Sequence, residues 1–203
     1  MAAIGSTNRV FVEFGVGEMG AECNTRLLLE QGWTGLRMDG MDQPGPTDIR
    51  REFITAENID ELFARYGVPD EFDLLSIDID SNDYWVLRAL DERYRPRILV
   101  MEYNASLGPT ERKTIPYDPT HVWDVSSYFG ASLAALDTAA ADRGYALVGC
   151  DSLGVNAFWI RRDQLAGFEP LTPEEAWVPP GYGIRIWGRH IGFSPSARTY
   201  ARV

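Results

Sequence analysis

Arg9-Val10-Phe11-Val12-Glu13-Phe14-Gly15-Val16-Gly17-Glu18-Met19-Gly20 is the stretch on which the fold turns. Arg9 to Phe14 is apolar enough for a strand in the middle of a sheet. Gly15 to Gly20 fits G-x-G-x-x-G, and the pattern predicts a helix over Ala21 to Gln31, closed by Gly32. Strand, glycine turn and helix in that order are what a nucleotide-binding turn requires. The glycines permit a tight bend and let a ligand approach the backbone. Thr34 to Met38 reads as the next strand. Asp39 closes it about 20 residues beyond Gly20, where a carboxylate accepts hydrogen bonds from ribose hydroxyls. A glycine turn with no nucleotide is the competing reading.

Working outward, short apolar runs alternate with helical stretches. A weak strand lies near Arg51 to Thr55, and a helix over Asn58 to Tyr66 is ended by Gly67 and Pro69. Phe72 to Ile79 is a strand, Asp83 to Arg93 a helix, and Arg97 to Tyr103 a strand. This alternation predicts an α/β fold with a doubly wound, mostly parallel sheet. Asn104 to Asp124 has no clear periodicity, and segments of that length are often functional. Ser126 to Arg143 reads as a helix ended by Gly144. Tyr145 to Cys150 and Ala157 to Arg161 are close enough in sequence to form an antiparallel hairpin. Residues 1–162 make the domain. Residues 163–203, rich in proline, glycine and aromatics, make an extension with the character of a lid or an oligomer contact.

Composition narrows the function. The 203 residues hold 30 acidic and 19 basic side chains, a net charge of -11. A phosphate backbone must be met by a basic surface, so a nucleic-acid partner is not expected. An anionic membrane is equally disfavoured. Cys23 and Cys150 make neither a disulfide framework nor a CxxC zinc site. No leader pattern opens the sequence and no run approaches the ~20 apolar residues of a membrane span. The expected setting is a reduced cytoplasm.

Glu13 bears on which nucleotide binds. A carboxylate two residues ahead of Gly15 suits a ligand with a cationic amino-acid end. It is a poor neighbour for a pyrophosphate, the more so with Glu18 and Glu22 beside it. In Val12-Glu13-Phe14-Gly15-Val16-Gly17 the sequence resembles the class I S-adenosylmethionine-dependent methyltransferases. The resemblance runs from about Arg9 to Arg161 and includes the final hairpin. Within that group, Ile77-Asp78-Ile79-Asp80 and Val100-Met101-Glu102-Tyr103-Asn104 look most like the FkbM-type and macrocin-type O-methyltransferases. The resemblance implies a Rossmann-like fold with S-adenosylmethionine as cofactor. It puts Glu13, Gly15, Gly17, Gly20, Asp39 and Asp78 on that cofactor, with Glu57 and Asn58 beside the adenine. The helix that usually precedes the first strand is not seen, so the extension or a second subunit is expected to cover that part of the sheet. A homodimer fits this expectation.

Asp78 and Asp80 end one strand, and Glu102 and Asn104 end the next. Each pair is spaced i, i+2, which points both side chains to one face at the carboxyl edge of the sheet. Three carboxylates and an amide oxygen make a hard, oxygen-only donor set that suits Mg²⁺, Ca²⁺ or Mn²⁺. The metal-dependent O-methyltransferases this resembles carry an acidic residue after the fourth strand and an Asp-Asn pair after the fifth. Here the second pair is Glu102-x-Asn104. The competing reading has Asp78 touching cofactor, Asp80 capping the helix that follows, and no metal. His121 in the long loop is the candidate general base, since histidine titrates near neutral pH, and Asp78 is the other catalytic candidate. Tyr103, Tyr117, Trp123, Tyr128 and Phe129 are candidates for a pocket wall, and Arg112, Lys113 and Arg185 for meeting an anionic substrate group. Cys23 sits where a helix N-terminus would lower its pKa, though packing is the simpler role.

The resemblance implies methyl transfer from S-adenosylmethionine to an oxygen of a small polar or natural-product acceptor, with Mg²⁺ as the metal the carboxylates suit. Three alternatives stand beside that reading. They are a non-methyl reaction of the same sulfonium (cyclisation or alkyl transfer), a nicotinamide oxidoreductase, and a non-catalytic scaffold subunit.

Overall fold

The computed structural model describes residues 4–45 and 47–203. Seven strands form the main sheet: β1 (Val10–Phe14), β2 (Thr34–Asp39), β3 (Arg50–Arg51), β4 (Glu71–Ile77), β5 (Arg95–Glu102), β7 (Tyr145–Cys150) and β8 (Asn156–Arg161). Their order is β3-β2-β1-β4-β5-β8-β7. The first five are mutually parallel, and β8 runs antiparallel to both β5 and β7. This is a Rossmann-like α/β sheet with a terminal antiparallel hairpin, as the sequence pattern predicts. Strand order reverses between β1 and β4, and at such a switch point α/β folds open a crevice beyond the strand ends.

Alternation along the strands divides the core. Val12, Phe14, Leu75, Ile77, Leu99, Met101 and Trp159 point to one face and pack against α2 (Ile59–Arg65), α3 (Asp83–Ala89) and α4 (Leu133–Asp142). Phe63 anchors this side, meeting Phe14, Phe72 and Tyr94 edge-to-face at centroid distances of 6.5, 6.3 and 4.9 Å. Such pairs contribute ~0.5–1.5 kcal/mol each beyond area burial. Phe11, Leu74, Ile98, Val100 and Ile160 point to the other face. There α1 (Arg26–Glu30) supplies Leu28, and Ile4 and Leu165 pack alongside. Gly35 on β2 is required on this face, because a Cβ there would lie 2.3 Å from the Phe11 ring.

The segment before β1 is held by a buried ion pair. Asp73 and Arg97 meet at 2.9 Å, and Asp73 also accepts the backbone N–H groups of Thr7, Asn8 and Arg9. Arg97 donates to the carbonyls of Ile4 and Gly5. Burial pushes the Asp73 carboxyl up, but Arg97 and the N–H groups outweigh it and hold the pKa below its ordinary value. This segment thus covers part of the sheet that the sequence reading assigned to the extension or a partner.

Several predicted elements are shorter than their patterns. The helix expected over Ala21 to Gln31 is α1 alone, preceded by a 3-10 turn at Glu18–Gly20. Met19 and Gly20, both at positive φ, keep that turn from running on into the helix. The helix expected from Ser126 starts at Leu133, capped by the Ser132 side chain on Ala135 N–H. Residues before it bridge instead to the chain's last segments, with Gly130 at φ 50°. The third strand is two residues long, and Glu52 to Thr55 continue without a partner strand.

Residues 163–203 fold back onto the domain. The Leu171 N–H donates to the Leu147 carbonyl, Trp177 Nε1 to the Ala105 carbonyl, and Tyr103 Oη to the Val178 carbonyl. α5 (Pro173–Ala176) is held by a Thr172–Glu175 capping box. β11 (Ala201–Arg202) pairs with β6 (Lys113–Thr114) in the long loop. Between these anchors, β9 (Arg185–Ile186) and β10 (Arg189–His190) form a small hairpin. Among the described residues, no helix is long and apolar enough to cross a membrane.

Candidate active site

A cavity of about 340 Å³ opens at the carboxyl edge of the sheet, over β1, β2 and β4. Gly15, Gly17, Asp39, Asp78, Asp80 and His121 all line it. Gly15 has φ 77°, and a Cβ there would fall 1.3 Å from the Asp78 carbonyl oxygen. Glycine is thus required for the turn to pass against the end of β4. Gly17 donates its N–H to Asp39 Oδ2 at 2.8 Å, and the other Asp39 oxygen accepts the Met41 N–H at 2.8 Å. The glycine turn and the ribose-type carboxylate are therefore one bonded unit.

Glu13 does not reach the cavity. It is 1% exposed, and its carboxylate accepts the N–H groups of Asn24 and Thr25, the Thr25 hydroxyl and the Cys23 thiol. This is the turn-cap role, and it corrects the cofactor contact that the resemblance implied. It also explains the shortened first helix, whose leading N–H groups turn back to Glu13. Cys23 is affected in turn: burial first, then the bond to Glu13, raise its thiol pKa, the reverse of an activated cysteine.

The carboxylates at the strand ends do converge. Asp78, Asp80 and Glu102 each bring an oxygen within 4.8 Å of the others. Burial and then the charges of Asp83 and Asp80 raise Asp78 well above the ordinary range. Burial, then Asp78 and Asp80, do the same to Glu102. Asp80 is pushed up to about 7 by burial and by Asp83, Glu22 and Asp39. Glu102 Oε2 is buried with no hydrogen-bond partner. Oxygen-only donors, mutual repulsion and an orphaned acceptor fit a hard divalent cation.

Asn104 does not belong to this set. Its amide nitrogen donates to the Ser127 and Phe129 carbonyls, and its oxygen accepts the Ser106 N–H. Asp80 does not cap α3 either. Asp83 ties that turn, accepting from Ile79 N–H at 2.9 Å and Ser81 N–H at 3.0 Å. Asp80 is left at φ 54°, a left-handed backbone uncommon outside glycine.

His121, Val122 and Trp123 form the wall opposite. Their loop is pinned by Asn82 Nδ2 to the Asp118 carbonyl and by Trp85 Nε1 to the Ile115 carbonyl. Behind them, Trp123 packs on Phe193 of the extension at 4.7 Å. His121 Nε2 is buried without a partner. Burial, then Arg198, lower the His121 pKa below 6.5, so the ring is neutral at pH 7.

Other expected residues lie elsewhere. Glu57 pairs with the Tyr117 hydroxyl, and Asn58 bonds Thr55 N–H and the Phe53 carbonyl, both outside the cavity lining. Gly20 is packed near Arg37. Of the aromatic candidates only Trp123 lines the cavity. Tyr103, Tyr128 and Phe129 are core, and Lys113 is paired with Glu111 at 2.7 Å. The sequence reading used Glu22 only as a charge beside the turn and passed over Met41, Glu52, Phe53 and Ile54, all of which line the cavity. For the last three the signal was position, directly beyond a strand at the carboxyl edge.

No family model and no curated protein matches the sequence. Among solved structures, the chain is similar to the N-terminal domain of EvdMO1, crystallised in the presence of SAH and D-fucose. The identity is 17%, over 79% of this chain and 78% of that one, with a TM-score of 0.44. It is also similar to the MycE methyltransferase from the mycinamycin biosynthetic pathway, in complex with Mg, SAH and mycinamycin VI. There the identity is 19%, over 84% of this chain and 43% of that one, with a TM-score of 0.36. The chain thus spans less than half the length of MycE.

Proposed function

We propose that this chain is an S-adenosylmethionine-dependent methyltransferase that acts on an oxygen of a small polar acceptor. The observation that carries the reading is the single cavity in which the glycine turn, Asp39, the Asp78–Asp80 pair and His121 meet. Glu22, Asp39, Glu52, Asp78 and Asp80 make its lining acidic, and among the described residues no lysine or arginine lines it. Such a lining favours a sulfonium with an ammonium group over a dinucleotide pyrophosphate, which disfavours the nicotinamide reading.

In this reading Gly15 and Gly17 let the cofactor lie against the backbone, and Asp39 accepts from its ribose. Phe53 and Ile54 supply apolar surface for the adenine. Asp78, Asp80 and Glu102 would hold a divalent cation, which when bound neutralises their repulsion and lowers the pKa of an acceptor hydroxyl. His121, neutral and with an unpartnered Nε2, is placed to take the proton of an acceptor hydroxyl; S-adenosylmethionine, when bound, would supply the methyl group, its carbon–sulfur bond breaking to leave the demethylated thioether.

Calorimetric titration with S-adenosylmethionine and its demethylated product tests the cofactor assignment. Absence of binding by both overturns it. Mass spectrometry of acceptor mixtures, with and without EDTA, tests methyl transfer and its metal dependence. Methylthioadenosine without a methylated product would point instead to alkyl transfer.

A further inference from the structure

All thirty acidic residues lie at or before Glu175, while the residues after it hold Arg185, Arg189, Arg198 and Arg202 and no acid. An acidic body carries a basic tail. Arg185 and Arg189 sit on the β9–β10 hairpin among Ile184, Ile186, Trp187 and Ile191, all four exposed. Trp187 is 98% exposed. Ile186 pairs with Arg189, so Trp187 and Gly188 form a two-residue turn, at φ 51° and 81°. Positive φ at both positions is the type I′ turn, which favours Asn-Gly. Tryptophan is out of place there on backbone grounds, and in water it is out of place on burial grounds.

The base of the hairpin is tightly closed. A Cβ on Gly183 would lie 2.1 Å from the Gly192 carbonyl oxygen, and one on Gly192 would lie 2.4 Å from Ser106 Oγ. Ile184 N–H donates to the Gly192 carbonyl at 2.7 Å. Backbones packed this closely fix the direction of the hairpin and leave no hinge by which its tip could fold onto its own chain. Cover for Trp187 must come from another molecule.

A surface of the matching character exists on this chain. The cavity mouth exposes Met41, Phe53 and Val122 beside the carboxylates of Glu22, Glu52 and Asp80. It is apolar and acidic where the hairpin is apolar and basic. We infer that the hairpin of one copy seats Ile186 and Trp187 over the cavity mouth of a second copy, with Arg185 and Arg189 against the acidic rim. Reciprocal exchange gives a two-fold dimer in which each copy completes the other's site. The consequence for the reaction rests on the proposed function, since exclusion of water from methyl transfer then needs the dimer. The contact itself does not.

Sedimentation of the wild-type protein at micromolar concentration should show a dimer that dissociates as salt rises. Trp187→Asn suits the turn and should keep the native circular-dichroism spectrum while producing a monomer whose Tm no longer rises with protein concentration. Arg185→Glu with Arg189→Glu should do the same. A photocrosslinking amino acid in place of Trp187, in a mixture of ¹⁴N and ¹⁵N protein, should join the two isotopes through residues 39–54 or 121–123. A monomeric wild type, an oligomer unchanged by Trp187→Asn, or crosslinks confined to one chain would each overturn the inference. Titration of Trp187→Asn with S-adenosylmethionine reads the cofactor assignment separately: failure to bind in wild type and variant alike sinks that assignment, while sedimentation still decides the contact.

Discussion

The Gly17 N–H donates to Asp39 Oδ2 at 2.8 Å, so the last residue of β2 holds the turn that follows β1. Asp39 is nearly buried and its second oxygen is bonded to Met41 N–H. The carboxylate therefore shapes the floor of the cavity as well as facing into it. A bond from an N–H to a buried carboxylate contributes ~1.5–3 kcal/mol, so losing it is felt by the fold and by the ligand together.

Asp39→Ala should lower stability by about 2–4 kcal/mol and weaken S-adenosylmethionine binding at least ~10-fold. Asp39→Asn keeps one acceptor oxygen but turns its amide nitrogen toward the other backbone N–H, so it should recover only part of the stability and not the affinity. Thermal unfolding and calorimetric titration of the two variants separate the roles. Equal affinity in wild type and Asp39→Ala would remove Asp39 from the cofactor site.

Gly15→Ala has no room, because the obstructing atom is the Asp78 backbone carbonyl at the end of a central strand. It should prevent folding or displace the turn enough to abolish cofactor binding. Gly67→Ala is the matched comparison, at φ 66° with nothing within 4 Å of the added carbon. It should cost only about 1 kcal/mol, the strain of alanine at positive φ. Urea unfolding of both variants checks the contrast.

The main sheet was legible in the sequence because apolar runs at strand length are dictated by burial on both faces. The glycine turn was legible because its φ values and close approaches exclude other residues. What the sequence hid was competition for hydrogen bonds. Glu13 reads as a cofactor ligand by position, yet the nearest donors, Asn24, Thr25 and Cys23, occupy it. Asn104 reads as a metal ligand by spacing, yet the carbonyls of Ser127 and Phe129 capture its amide. Those partners lie 10 to 25 residues away, and nothing in a local pattern ranks them against a ligand. Cavity walls from Glu52 to Ile54 and His121 to Trp123 follow from loop paths, which periodicity does not encode.

Asp80 makes stability fall with rising pH. Its carboxyl moves from 3.8 to about 7 on folding, so between those values the folded state holds a proton that the unfolded chain has released. That contribution is lost as pH rises from about 4 to about 7 and is flat above. Asp80→Asn should remove this part of the slope in Tm against pH. Mg²⁺ needs the ionised carboxylates, so it should raise Tm more at pH 8 than at pH 6 and release protons on binding near pH 7. Identical Tm with and without Mg²⁺ at both pH values would exclude the cluster as a cation site.

His121 acts as a base only while neutral, and burial together with the Arg198 charge keeps it so down to below pH 6.5. With Mg²⁺ saturating, kcat should fall as pH drops through that lowered pKa. His121→Gln should reduce kcat by ~10²–10⁴ and lose this acid limb, with the cofactor Kd unchanged. Arg198→Ala removes a positive charge that opposes the imidazolium, so the acid limb should move to higher pH. Arg198 also pairs with Asp124 and lies over the Tyr128 ring at 4.8 Å, so a general loss of packing is the competing outcome. Loss of packing would lower kcat at every pH, whereas loss of the charge alone shifts the limb and leaves the alkaline plateau in place. A pH–rate profile of the three proteins distinguishes the two, and an acid limb that persists in His121→Gln would assign the base elsewhere.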